Sequence, residues 1–217
     1  MEINKGFLIT RPRSDYLTNL IFHLCDDVLA VARSKKYRIY QLDAEKANKK
    51  LFDSYTRKNK PSVVFLNGHG NMNCVTGHNE EVILGVGDGD DSLPDAIVYA
   101  RSCDAAVSLA PALIENGTKA FLGYKRKYYL ASSMDRVSKP RDDKLAKRFI
   151  EPANLAVTAI LKGNTVEEAD KRSKFEMMKN VFSMLSSAAT DEERSAAPLL
   201  YSNIKNQVIV GDKFATA

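Results

Sequence analysis

Five short apolar runs recur along the first 125 residues: GFLIT (6–10), YRIYQL (37–42), SVVFL (62–66), the middle of PDAIVYARS (94–102) and KAFLGYK (119–125). None holds more than five consecutive apolar residues, far below the ~20 that a membrane span needs. A run that is apolar at nearly every position is buried on both faces, which is the signature of strands inside a parallel sheet. Parallel strands need crossovers, and helices are the usual ones. Segments with helical spacing do lie between the runs. Residues 15–34 place Leu17, Leu20, Ile21, Leu24, Val28 and Val31 on one face, with Ser14 or Asp15 as the cap. Residues 43–58 form a second helix, polar except at Leu51 and Phe52, and a third is expected at about 105–116 with Gly117 ending it. The alternation predicts an α/β fold: a three-layer sandwich whose mostly parallel sheet of about six strands carries helices on both faces.

Beyond residue 125 the pattern changes. Residues 125–143 are polar, basic and turn-rich, helices are expected at about 144–162 and 165–187, and NQVIVGD (206–212) supplies a last strand. No repeat or low-complexity linker divides the chain, so a single domain over residues 1–217 is expected. The N-terminal stretch MEINKGFLIT lacks the basic and apolar blocks of a secretory leader. Three cysteines, an odd number, argue against a disulfide framework and for a reducing, cytoplasmic setting. A net charge of +5 is mild for 217 residues and comes without a nucleic-acid motif, which makes nucleic acid an unfavoured partner.

Chemistry-bearing residues stand at two strand ends. The third run leads into Asn67-Gly68-His69-Gly70, and the fourth into Ser102-Cys103. Ligands of open parallel sheets gather outside the carboxyl ends of the strands, and consecutive strands are usually neighbours. His69 and Cys103 are therefore expected to face one crevice. An imidazole can generate the thiolate that attacks a carbonyl. Cys103 is also expected to precede a helix N-terminus, which would lower its pKa. The backbone N–H groups of Gly70 and Cys103 are suited to an oxyanion hole, glycine leaving room for the substrate. Asn67 either orients the imidazole or caps the turn.

These two blocks, VVFLNGHG and AIVYARSC, resemble the caspase-like cysteine peptidases of clan CD, a group that includes caspases, metacaspases, legumains, gingipains, clostripain, separase and the bacterial CHAT domains. The resemblance is specific over the two blocks and extends over residues 6–125 in the order of elements. It is nearer to the gingipain and CHAT types than to animal caspases, because the caspase Gln-Ala-Cys-x-Gly is absent. It implies a caspase-like fold and a cysteine endopeptidase acting without a cofactor, with Cys103 as nucleophile and His69 as general base and acid. It also implies a protein or peptide substrate, a regulated effector role and a regulatory protein partner. A catalytically silent scaffold of the same fold is the alternative. Position 101 helps form the S1 pocket in this group, so Arg101 is expected either to bind an acidic P1 side chain or to pair locally with Asp104 or Asp95. Asp104 is the other candidate for substrate binding.

Three further features are weighed. Cys74 and His78 make too small a set for a metal site and read as a surface hairpin. GVGDGDDSLPD (85–95) lacks the spacing of a calcium loop and reads as a solvated acidic turn. The basic segment 125–144 reads as a specificity or activation loop, or else as a plain connector.

Overall fold

A computed structural model describes residues 5–217, so the start of the stretch read for a leader lies outside the described residues. Every apolar run forms a strand: β1 (Gly6–Arg11), β2 (Arg38–Asp43), β3 (Val63–Asn67), then, after a small hairpin sheet, β7 (Ile97–Arg101) and β8 (Ala120–Tyr124). The hairpin sheet consists of β4 (Gly70–Asn71), β5 (Cys74–Thr76) and β6 (Val82–Gly85). The main sheet has six strands in the order β2-β1-β3-β7-β8-β9, with β9 at Gln207–Gly211. Its first five strands are parallel, and β9 closes the edge antiparallel to β8.

Strand side chains alternate between two apolar layers. Phe7, Ile9, Val63, Phe65, Ile97 and Tyr99 face one side, where α1 (Tyr16–His23), α2 (Asp26–Ser34) and α5 (Lys144–Leu161) cover them. Leu8, Val64, Leu66, Val98 and Ala100 face the other, under α3 (Lys49–Asn59) and α4 (Leu109–Glu115). Each fully buried side chain of this size contributes roughly 1.5–3 kcal/mol, which is why runs without polar interruptions end up in the middle of the sheet. A third cluster packs α6 (Val166–Met184) and α7 (Asp191–Asn206) onto α5 through Phe149, Met177 and Leu200. No helix of the described residues is long and apolar enough to cross a membrane.

The helices differ from expectation in four places. Residues 15–34 form two helices. The Leu24 N–H is shared between the Leu20 and Ile21 carbonyls, Cys25 turns into the core, and the Leu24 carbonyl accepts from Asn154 Nδ2 at 2.6 Å. The Asn154 side chain thus holds the chain at the break. The second helix starts at Lys49 behind an Asn48 cap, after a single tight turn at Ala44–Lys46. The third starts at Leu109, six residues beyond Cys103. The fourth, α7, was not expected; a Thr190 and Glu193 capping box starts it and Pro198 lies within it.

Candidate active site

Register brings the two strand ends together. β3 and β7 are hydrogen-bonded neighbours, and Asn67 pairs with Arg101 on their last rung. His69 and Cys103 each follow that rung by two residues, so they emerge side by side. Both line one narrow pocket with Gly68 and Ser102, walled by Leu17 and Ile21 of α1 and by Tyr128 and Leu130.

His69 is held by a residue that sequence reading assigned only to a cap. Asp15 caps α1: its Oδ1 accepts the Thr18 N–H at 3.0 Å, and its own N–H donates to Thr18 Oγ1 at 3.1 Å. Its Oδ2 lies 2.9 Å from His69 Nε2. Burial works to raise the Asp15 pKa, but hydrogen bonds from the Thr18 N–H, the His69 ring and the Thr18 hydroxyl outweigh it and hold it below its ordinary value. An ionised carboxylate only accepts hydrogen bonds. A proton on Nε2 satisfies this contact, which leaves Nδ1 facing away from Asp15.

Asn67 does not orient the imidazole. Its side chain is buried; Nδ2 donates to the Thr10 carbonyl at 2.8 Å, and Oδ1 accepts from Arg101 Nε at 2.9 Å and Nη2 at 2.7 Å. Arg101 reaches the inner wall of the pocket, yet its side chain is fully buried. Beyond Asn67 it donates to Asn154 Oδ1 at 3.1 Å and to Cys25 Sγ at 3.0 Å, and it lies over the Phe65 ring. Neither Asp95 nor Asp104 pairs with it. Asp104 lies outside the pocket lining, at a left-handed φ of 56°, with its N–H donating to the Arg126 carbonyl.

The environment of Cys103 also departs from expectation. With α4 starting six residues downstream, no helix N-terminus touches the thiol. Burial pushes its pKa up, and Asp104 adds to the rise. The thiol donates to the Tyr128 carbonyl at 3.9 Å. Gly70 pairs with Val75, and the Thr76 N–H donates to the His69 carbonyl at 2.9 Å, which leaves Gly70 at a non-hydrogen-bonded position of that ladder. Among the described residues nothing accepts the Cys103 N–H.

The remaining candidates are engaged elsewhere. His78 Nδ1 accepts the Arg13 N–H, and the Cys74 thiol donates to Asn71 Oδ1. In the acidic turn, Asp88 pairs with Lys49 at 3.0 Å and Asp90 accepts the Gly87 N–H. The basic segment is anchored at its start: the Tyr129 N–H donates to Asn203 Oδ1 at 2.9 Å, and Asn203 Nδ2 donates back to the Tyr129 carbonyl at 2.7 Å.

No family model and no curated protein matches the chain. Solved structures do. The Arg-specific cysteine proteinase gingipain R (RgpB) superposes with a TM-score of 0.62 at 12% identity, over 97% of this chain and 46% of that one. The complex of the pro- and mature domains of Porphyromonas gingivalis RgpB gives 0.55 at 12% identity, over 97% and 47%. The chain thus spans about half the length of these structures. At such identity the likeness speaks for architecture alone, and that architecture is the caspase-like fold.

Proposed function

We propose that the chain is a cysteine endopeptidase that cleaves protein substrates through a Cys103 thioester. One observation carries this reading: His69 and Cys103 stand on the same side of adjacent strand ends and line one pocket, with Asp15 holding Nε2 so that Nδ1 is left for the thiol. In the reaction the Cys103 proton passes to His69 Nδ1 as sulfur bonds to the scissile carbonyl carbon. The carbonyl π pair moves onto oxygen, where the N–H groups of Gly70 and Cys103 receive it. The C–N bond then breaks, His69 returns the proton to the leaving amine, and water hydrolyses the thioester. Asp15 stabilises the imidazolium that forms in between. No step requires a cofactor. The one-domain organisation, the cytoplasmic setting and a regulatory protein partner belong to the same proposal. The complex of RgpB with its pro-domain supports looking for such a partner.

Arg101 belongs to the framework in this reading. Four N–H groups on Asn67, Asn154 and Cys25 leave it little capacity for a substrate carboxylate. A second reading, a catalytically silent module, is favoured by the thiol itself: it is held by the Tyr128 carbonyl and its pKa is raised. Labelling with peptide acyloxymethyl ketones decides between the two. Modification lost in Cys103→Ala and weakened at least tenfold in His69→Ala supports the peptidase. Modification at Cys25 or Cys74 alone, or none, supports the silent module.

A further inference from the structure

Ser102 is 1% exposed, and its Oγ has no hydrogen-bond partner among the described residues. Buried hydroxyls are nearly always partnered, because leaving one unpaired is costly. Ser102 is among the residues lining the pocket, next in sequence to Cys103. It also lies against Gly70, where a β-carbon would come within 2.2 Å of Ser102 Oγ and 2.5 Å of the Cys74 carbonyl oxygen. The hydroxyl thus fills the space beside one oxyanion-hole residue and neighbours the other, without an internal partner of its own.

We propose that Ser102 is a catalytic residue whose hydroxyl donates a hydrogen bond to the oxyanion, joining the N–H groups of Gly70 and Cys103. The inference rests on the peptidase reading above. A donor that is unpaired in the resting protein and paired only as charge develops on the carbonyl oxygen stabilises the transition state selectively. The same packing gives Gly70 its reason: a side chain there would displace the hydroxyl. The covalent step is unchanged. Sulfur adds to carbon, the thiol proton goes to His69, and the Ser102 proton stays on its own oxygen while bridging to the new oxyanion.

The test compares two reagents on wild type and Ser102→Ala. A peptide aldehyde adds to Cys103 to give a hemithioacetal whose oxygen occupies the oxyanion position. Iodoacetamide alkylates the same sulfur by displacing iodide and places no oxyanion there. The expected result is aldehyde affinity weakened on the order of tenfold to a hundredfold, with the alkylation rate within twofold of wild type and Tm not lowered. In turnover of a peptide substrate, kcat falls while KM holds. Aldehyde affinity within twofold of wild type overturns the inference and leaves the peptidase reading standing. Parallel loss of aldehyde affinity, alkylation rate and Tm also overturns it, as the mark of a packing role. Wild-type protein that binds no aldehyde at Cys103 sinks both readings.

Discussion

Arg101→Met separates a framework role from a substrate-reading one. The guanidinium is fully buried and makes four hydrogen bonds of 2.7–3.1 Å, all to neutral groups. The nearest carboxylate relation is indirect, since Asn154 Nδ2 donates to Asp27 Oδ1 at 2.9 Å. Removing the head strands Asn67 Oδ1, which loses both its donors. Asn154 Oδ1 is left with only a 3.8 Å contact from the Cys25 thiol. Each stranded acceptor costs roughly 1–3 kcal/mol, and the gap over the Phe65 ring adds about 1 kcal/mol. Methionine removes the desolvation cost of an ion, which offsets part of this. A net loss of about 2–4 kcal/mol follows, a large share of the ~5–15 kcal/mol of a typical domain. For a chain of this size it lowers Tm by roughly 5–15 °C. Urea unfolding should show a lower midpoint at unchanged slope. Arg101→Lys should also lose stability, because one ammonium cannot span Asn67, Asn154 and Cys25. An Arg101→Met protein as stable as wild type, but unable to process an acidic P1 substrate, would refute the framework argument.

Three other residues carry further predictions. Asp15→Asn retains a good helix cap but loses the charge facing His69, so Tm should hold while kcat falls about threefold to thirtyfold, the figure being kept low because both side chains are more than a third exposed. Asp15→Ala should lose kcat to a similar degree and about 1 kcal/mol of stability as well. Because burial raises the Cys103 pKa above its ordinary value of 9.0, iodoacetamide labelling of that residue should still be accelerating at pH 9.0; a plateau near neutrality would contradict it. Asp43 binds Arg11 through two oxygens, at 2.7 and 2.8 Å; burial works to raise its pKa, but the Arg11 and Gln41 hydrogen bonds hold it below 3.8. A depressed folded-state pKa stabilises above the unfolded value and is lost as pH falls through the folded one. Asp43→Asn should therefore cost roughly 2–3 kcal/mol at pH 7, with the gap to wild type closing in acid melts below 3.8.

What was legible in the sequence follows from local periodicity. Apolar runs such as Val63–Leu66 specify a doubly buried strand by themselves, and two such runs ending in His69 and Cys103 place those side chains at one sheet edge. The illegible parts depend on contacts far apart in the chain. Asp15 was readable as a cap, but a carboxylate has two oxygens, and only the fold turns the second toward a residue 54 positions on. The partners of Arg101 lie 34, 53 and 76 residues away, so neither of the roles the sequence offered it, binding an acidic P1 side chain or pairing with Asp104 or Asp95, pointed to the core that holds it. The α1–α2 break has no proline or glycine to announce it; the Asn154 side chain, 130 residues on, takes the Leu24 carbonyl. Helix α7 did carry a signal in Thr190 and Glu193, but Pro198 in its middle argued the other way.

The resting state of the thiol bears on how the site can be switched. A thiol donating to a carbonyl at 3.9 Å makes a weak hydrogen bond, since sulfur is a poor donor. Its acceptor is firmly fixed. The Tyr128 ring packs on Tyr124 with centroids 4.8 Å apart, its hydroxyl donates to the Phe149 carbonyl, and the next residue is bonded both ways to the buried Asn203. In the proposed reaction the thiol gives up this weak contact when its proton passes to His69. The larger barrier is electrostatic, because the thiolate forms in a site that disfavours charge. The contact with the Tyr128 backbone and the charge of Lys127 offset part of it, and in the proposed mechanism the imidazolium steadied by Asp15 supplies the rest. In the proposed mechanism thiolate and imidazolium form together, so Asp15 supports both members of the pair.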